Sequence, residues 1–215
     1  DIHTTYMSLE DAQTFSSSLE GTFIGVGLQF YQNSRGEYIV ADVFENSPAQ
    51  KAGIERKDRL VQVEGSLCDE LSQDEIKDML TKSEGKEVSL VIEREGRELE
   101  VQVTPAVVDS SVIAYEENGY GYLQLSSFSE NSGADVESAL KRFVQAGETK
   151  IILDLRDNGG GYLSAAMDIA KCFLPKGTVV FQAEERSGER KKYKLEEDYE
   201  PFAFDQIVIL MNQNT

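Results

Sequence analysis

The residues best able to do chemistry lie in one block, Ile151-Ile152-Leu153-Asp154-Leu155-Arg156-Asp157-Asn158-Gly159-Gly160-Gly161-Tyr162-Leu163. An apolar strand that runs into three glycines and then a helix lets backbone N–H groups converge on a negative charge at the helix start. Phosphate is one candidate anion. However, no Lys-Ser/Thr follows the glycines, as a P-loop needs, and Ser164 stands where a dinucleotide fingerprint counted from Gly159 needs its third glycine. The other candidate is the transient oxyanion of acyl transfer, which needs preorganised donors and no fixed cation. A tight strand-to-helix turn with no ligand is the competing reading. Asp154, Arg156 and Asn158 alternate just ahead of the turn. Unpaired charges are costly in a buried sheet, so this trio is expected to brace itself and the loop rather than act on a substrate.

A second constellation is Gly25-Val26-Gly27-Leu28 together with a helix expected over residues 72–82. Glycines alternating with apolar residues at a strand start leave N–H groups unhindered to cap a peptide carboxylate, and a strand edge beside a helix makes a groove for an added strand. Taken alone, a Gly-x-Gly in a strand more often marks a β-bulge.

The rest of the inventory excludes several classes. The single histidine, His3, lies beside the N-terminus, where chains tend to fray, so a hydrolase built on this chain is expected to use another base. Cys68 and Cys172 are too far apart for a CxxC half-site, and no His/Cys zinc site can be assembled from this chain alone. A lone cysteine pair in a chain of this size is more often two buried thiols than a bridge. With 21 Lys and Arg against 39 Asp and Glu, a net charge of −18, the chain is repelled by nucleic acid and by anionic lipid. No apolar run reaches the roughly 18 residues of a membrane span.

These sites need elements to hold them. Ser8, with Asp11 three residues on, suggests a capped helix ending near Gly21. Residues 23–30 and 38–44 suggest a β-hairpin with a glycine-rich first arm, joined by the turn Asn33-Ser34-Arg35-Gly36. Ser47-Pro48 through Gly53 has the cap, Pro and terminal Gly of a short helix. A strand over 59–64 follows, and the 72–82 helix presents Ile76, Met79 and Leu80 on one face. Strands over 88–94 and 98–104 flank a Glu95-Gly96 turn, and Pro105 marks a boundary. Beyond Val112 the pattern becomes β-α-β-α: a strand over 121–125, a helix over 133–146, the apolar strand 150–155, and a helix over 163–174, typical of a parallel sheet covered on both sides. A strand over 179–183, a charged excursion over 184–200 and a buried-strand pattern over 206–211 complete the reading.

The order of these features resembles a known family. Gly25-Val26-Gly27-Leu28, Asn46-Ser47-Pro48-Ala49, Ala52-Gly53-Ile54, Asp58-Arg59-Leu60, Val63-Glu64-Gly65 and the strand over 88–94 look like a PDZ domain of the circularly permuted bacterial type. Gly119-Tyr120-Gly121-Tyr122-Leu123, Ser127-Phe128 and Leu153-Asp154-Leu155-Arg156-Asp157-Asn158-Gly159-Gly160-Gly161 are similar to the core of the carboxy-terminal processing (tail-specific) serine peptidases. The segment Thr4-Thr5-Tyr6-Met7 resembles the family's entry into the PDZ domain. Gly159 departs from the family, in which many members carry proline there.

The resemblance implies a mixed α/β and α+β chain: a helical lead-in over 1–20, a permuted PDZ domain over 21–105, and a partial ClpP/crotonase-like β-α-β core over 106–215. It implies a serine endopeptidase with a Ser/Lys pair, the lysine being a desolvated general base. That pair is expected beyond Thr215, so the 215 residues themselves are expected to be inactive. Backbone N–H groups of Gly160 or Gly161 are implied to form part of the oxyanion hole. Gly25, Val26, Gly27, Leu28, Ile76 and Leu80 are implied to capture a substrate's free C-terminus, and Arg94 either to report groove occupancy or to be a solvated strand-end residue. No cofactor or metal is implied. The implied partners are protein or peptide substrates, with room for a homodimer, in an extracytoplasmic bacterial location behind a signal or anchor preceding Asp1. Two alternatives remain open: a non-catalytic peptide- or ligand-binding protein on the same fold, and a crotonase-like acyl-CoA enzyme, against which the PDZ pattern argues.

Overall fold

The computed structural model describes residues 21–81, 85–184, 188–196 and 198–215, so the helix expected from Ser8 and the lead-in over 1–20 lie outside the described residues. The chain divides into two compact units between Ile113 and Ala114.

In the first unit the glycine-rich arm is not one strand but two. Thr22–Gly25 (β1) stops at Gly25, and Leu28–Gln32 (β2) starts after Gly27, whose φ of 84° turns the chain between them. A side chain at Gly27 would place its Cβ 2.3 Å from the Ser47 Cβ, so both the conformation and the space demand glycine. Tyr38–Val43 (β3), the short helix Pro48–Lys51 (α1), Arg59–Val63 (β4) and Ser66–Leu67 (β5) follow. The Ser47 hydroxyl accepts from the Gln50 N–H at 3.2 Å, the cap its sequence suggested. Next come a 3₁₀ turn over Cys68–Glu70, Gln73–Thr81 (α2), Val88–Arg94 (β6), Arg97–Val103 (β7) and Ala106–Asp109 (β8).

The main sheet runs β2-β3-β4-β6-β7, with β5 attached to β4, while β1 pairs separately with β8. The strand after Pro105 therefore belongs to the first unit, because its backbone donors and acceptors are met by β1. Strict alternation buries Val88, Leu90 and Ile92 in β6, which pack with Val40, Val63 and Ile76 into one core. Cys68 is buried in that core as a free thiol.

The second unit is built on a four-stranded sheet. Val112–Glu117 (β9) and Tyr120–Leu125 (β10) lead to the helix Ser132–Ala146 (α3), then Lys150–Asp154 (β11) and the helix Leu163–Phe173 (α4). Val179–Glu184 (β12) and Arg190–Lys194 (β13) form a separate antiparallel hairpin, and Gln206–Leu210 (β14) closes the set. The order is β14-β11-β10-β9, with β10, β11 and β14 parallel, as the β-α-β pattern predicts. Val136, Ala139, Leu140 and Phe143 line the buried stripe of α3. The Phe143 ring lies so close on Gly121 that a Cβ there would sit 2.4 Å from it.

Two expectations are corrected here. The charged excursion over 184–200 contains a strand, β13, and its Leu195 is fully buried, with its N–H donating to the Thr178 carbonyl. The strand over 206–211 is not buried. Among the described residues β14 is paired only with β11, and Ile207, Val208 and Ile209 are 39%, 39% and 54% exposed, so an edge strand carries the apolar run expected of a central one.

Candidate functional site

The loop after β11 is held by the trio that precedes it. Asp154 is buried, and its carboxylate accepts from Arg156 Nε at 2.9 Å, from an Arg156 terminal nitrogen at 2.6 Å, and from the Tyr122 hydroxyl at 2.6 Å. The Arg156 hydrogen bonds hold the Asp154 carboxyl down at about 2 against an ordinary 3.8, although burial pulls the other way. Burial and the adjacent Asp154 charge push the Tyr122 hydroxyl upward, so it stays a donor. Tyr115 stacks on Tyr122 at 4.8 Å between ring centroids and closes the other side of the phenol.

Asn158, also buried, spans strand and loop. Its side-chain amide donates to the Leu125 carbonyl at 2.8 Å, and its oxygen accepts from the Gly160 N–H at 2.8 Å. Gly160 is thereby engaged at both ends, since its carbonyl accepts from the Phe128 N–H at 2.9 Å. The Gly161 N–H, by contrast, has no hydrogen-bond partner among the described residues. Gly161 takes φ 148° in a bridge to Phe128, and a Cβ there would lie 2.3 Å from the Phe128 oxygen, so no other residue fits. Of the two glycines expected to supply an oxyanion donor, Gly161 offers a free one in this conformation and Gly160 does not.

A cleft of about 500 Å³ opens beside this loop, lined by Phe128, Leu155, Asn158, Gly159, Gly160 and the segment 213–215. Asp157, at a left-handed φ of 63°, accepts from the Asn212 and Asn214 side-chain amides at 3.0 and 2.7 Å, which lowers its pKa. The Thr215 hydroxyl donates to the Leu155 carbonyl at 2.9 Å. These bonds tie the glycine loop to the segment after β14, a link the sequence reading missed. The side-chain-to-loop pairing of Asp157 with Asn212 and Asn214 spans more than fifty residues, and only the β11–β14 register brings them together.

In the first unit, β2 is an edge strand and α2 lies beside it. Between them runs a groove of about 410 Å³ lined by Phe23 and residues 25–30 on the strand side and by Gln73, Lys77, Leu80 and Thr81 on the helix side. The Val26 carbonyl accepts from Ala49 and the Gly27 carbonyl from Phe44, fixing the turn. The N–H groups of Val26 and Gly27 have no acceptor among the described residues. Ile76 does not line the groove: it is fully buried in the core beneath α2.

Sequence comparison assigns both units. Residues 23–104 match the PDZ domain profile, and residues 119–215 match that of peptidase family S41. The carboxy-terminal processing protease CtpA of Bacillus subtilis (strain 168) is 28% identical over 218 residues, covering 100% of this chain and 46% of its own length. A probable CtpA-like serine protease of Staphylococcus epidermidis is 31% identical over 185 residues, covering 86% of this chain and 38% of its own. The B. subtilis protease CtpB is 30% identical over 203 residues, 90% of this chain and 42% of its own. The chain thus spans less than half the length of these relatives.

Within the first unit, Arg94 is partly exposed but firmly held. Its guanidinium donates from Nε and from a terminal nitrogen to the two oxygens of buried Asp58, both at 2.7 Å, and also to Glu55 and to the Gly53 carbonyl, both at 2.6 Å. Asp58 in turn accepts from the Glu55 N–H at 2.8 Å, so Arg94 pins the Gly53–Asp58 loop. In the second unit, Cys172 is a buried free thiol on α4, and burial pushes it up to about 11, as it does Cys68. Among the described residues no His/Cys/Asp/Glu group is arranged to hold a metal ion, and no helix is long and apolar enough to cross a membrane.

Proposed function

We propose that this chain carries the substrate-capturing PDZ domain and part of the catalytic core of a serine endopeptidase that selects proteins by their free C-termini. The observation that carries the capture reading is the pair of N–H groups at Val26 and Gly27 that have no acceptor among the described residues, at the head of an apolar groove beside a strand edge with no partner among them. Buried backbone donors rarely stay unpaired, and a peptide carboxylate is the acceptor that fits there, with the peptide adding antiparallel to β2. The Gly161 N–H, held at a strand-to-helix turn, fits a donor to an oxyanion of acyl transfer. By the family resemblance the nucleophile and base are a Ser/Lys pair, expected after Thr215. Relatives of bacterial origin and the family resemblance support an extracytoplasmic location, which cell fractionation checks.

Calorimetry with peptides ending in a free apolar carboxylate and with their C-terminal amides tests the capture. Charge-assisted hydrogen bonds contribute about 1.5–3 kcal/mol, so the acids should bind roughly ten- to a hundredfold tighter. Equal affinity overturns the reading. The peptidase reading is tested by the reading frame beyond Thr215: a serine followed by a downstream lysine supports it, and the absence of either refutes it.

A further inference from the structure

The positive charge of this acidic chain is concentrated in one strand. Arg190-Lys191-Lys192-Tyr193-Lys194 holds four of the 21 basic residues in a chain of net charge −18. These residues are β13, which with β12 makes a two-stranded ribbon that no other strand joins among the described residues. The ribbon is already formed. At its base the carbonyl of buried Leu195 accepts from the Gly177 N–H at 2.7 Å, and across its middle the Phe181 and Tyr193 rings stack 4.4 Å apart.

Side chains alternate along a strand, so Arg190, Lys192 and Lys194 share one face, and Lys191 and Tyr193 share the other. Two of the four cations are engaged within the ribbon. Arg190 Nε donates to Glu184 at 2.9 Å, and the Lys191 ammonium lies 5.1 Å from the centre of the Tyr193 ring. The side chains of Lys192 and Lys194 are exposed and make no hydrogen bond or ion pair among the described residues. Gln182 and Val179, their partners across the ladder, carry no charge. An open strand edge therefore runs beside two uncommitted ammonium groups, two residues and roughly 7 Å apart.

An open edge invites a further strand, and lysine is a common guard against one. The guard is selective, because like charges directly across a ladder destabilise it and opposite charges stabilise it. The ribbon's other edge, β12, carries Glu184 and no cation, so the attraction for an acidic strand belongs to β13. A broad anionic surface such as a bilayer fits poorly: Glu184 and Glu189 stand at the turn end of the ribbon and Glu196 and Asp198 follow its base, in a chain already at −18. A single extended segment lying along β13 meets the lysines and not these acids.

We propose that the open edge of β13 binds an extended acidic segment of a partner protein as a third strand, with Asp or Glu at two alternate positions opposite Lys192 and Lys194. Ladder hydrogen bonds supply the hold and the two ion pairs the choice of partner. The surface lies in the second unit and does not depend on capture of a C-terminus in the first.

The test is fluorescence anisotropy of a labelled peptide, Thr-Val-Glu-Val-Glu-Val-Thr, amidated at its C-terminus so that it has no carboxylate for the groove beside β2. It is compared with the same peptide carrying Gln for Glu, and with one N-methylated at alternate backbone amides. The Glu peptide should bind the 215-residue chain about two- to thirtyfold tighter than the Gln peptide, the range for two cross-strand ion pairs. That margin should shrink with added salt, and N-methylation should abolish binding. Lys192→Gln with Lys194→Gln should remove the margin. Lys86→Gln with Lys150→Gln, an equal change of net charge at exposed positions elsewhere, should keep it, and circular dichroism should show both variants folded as wild type. Equal binding of Glu and Gln peptides, equal loss of the margin in both double variants, or undiminished binding of the N-methylated peptide would each overturn the proposal. Binding to phosphatidylglycerol vesicles in place of the peptide would overturn it in favour of lipid, and self-association in place of peptide binding would overturn it in favour of a second copy.

Discussion

Asp154→Asn isolates the charge at the centre of the loop brace. The replacement keeps the shape and still accepts from Tyr122, but it removes the negative charge facing Arg156. The carboxyl lies at about 2 when folded against an ordinary 3.8, and at 1.36 kcal/mol per pH unit that difference amounts to about 2 kcal/mol. Arg156 is 54% exposed, so solvent screens part of the interaction and about 1–2 kcal/mol is expected at neutral pH. A carboxyl whose pKa is lowered by folding stabilises fully above its unfolded value, and that stabilisation is lost as pH falls through the folded value. The gap between wild type and Asp154→Asn should therefore be fully open above about pH 5, close to about half by pH 3, and vanish below about pH 2. Urea unfolding followed by circular dichroism at several pH values reads this gap directly. A gap equal at pH 7 and pH 3, or no gap at pH 7, would refute the account of the brace.

Asn158→Ala should cost about 2–4 kcal/mol in the same assay, because it strands the Leu125 carbonyl and frees the Gly160 N–H at once. Gly161→Ala should open the bridge to Phe128, seen as faster hydrogen exchange at the Phe128 and Tyr162 amides, since its Cβ has no room beside the Phe128 oxygen. Gly27→Ala should weaken both the fold of the PDZ domain and its peptide binding, whereas Gly53→Ala, also at positive φ but with open space around it, should affect stability modestly and binding little. Cys68 and Cys172, pushed up to about 11 by burial, should resist a thiol reagent at pH 8 in the native protein and both react in urea. Rapid native reaction of either would contradict its burial.

Most of the helices and the parallel core strands were legible in the sequence, because their signals are local: the Ser47-Pro48 cap, the β6 alternation, and the apolar run into Gly159-Gly160-Gly161. What was not legible depended on partners far away in the chain. Residues 23–30 read as one strand, but Gly27 breaks them because Ser47 leaves no room for a side chain, and β1 turns to β8 instead. Residues 206–211 read as buried, since an apolar run carries no mark of whether its sheet neighbours and covering helices are at hand. Ile76 has the apolar side chain a groove wall would use, yet one helical position decides between groove and core. Likewise the glycines announced a loop of donors, but only the position of Asn158 determines that Gly160 is occupied and Gly161 is not.

The exposed face of β14 has a bearing on how the 215-residue chain behaves as a solute. An apolar edge strand with open N–H and C=O groups is a template for pairing with a second molecule, and the repulsion between molecules of charge −18 opposes that pairing. Salt shortens the range of that repulsion and acid removes it by neutralising carboxylates, while neither alters the strand. Colloidal stability should therefore fall with ionic strength and as the pH nears the isoelectric point, with no loss of the native fold beforehand.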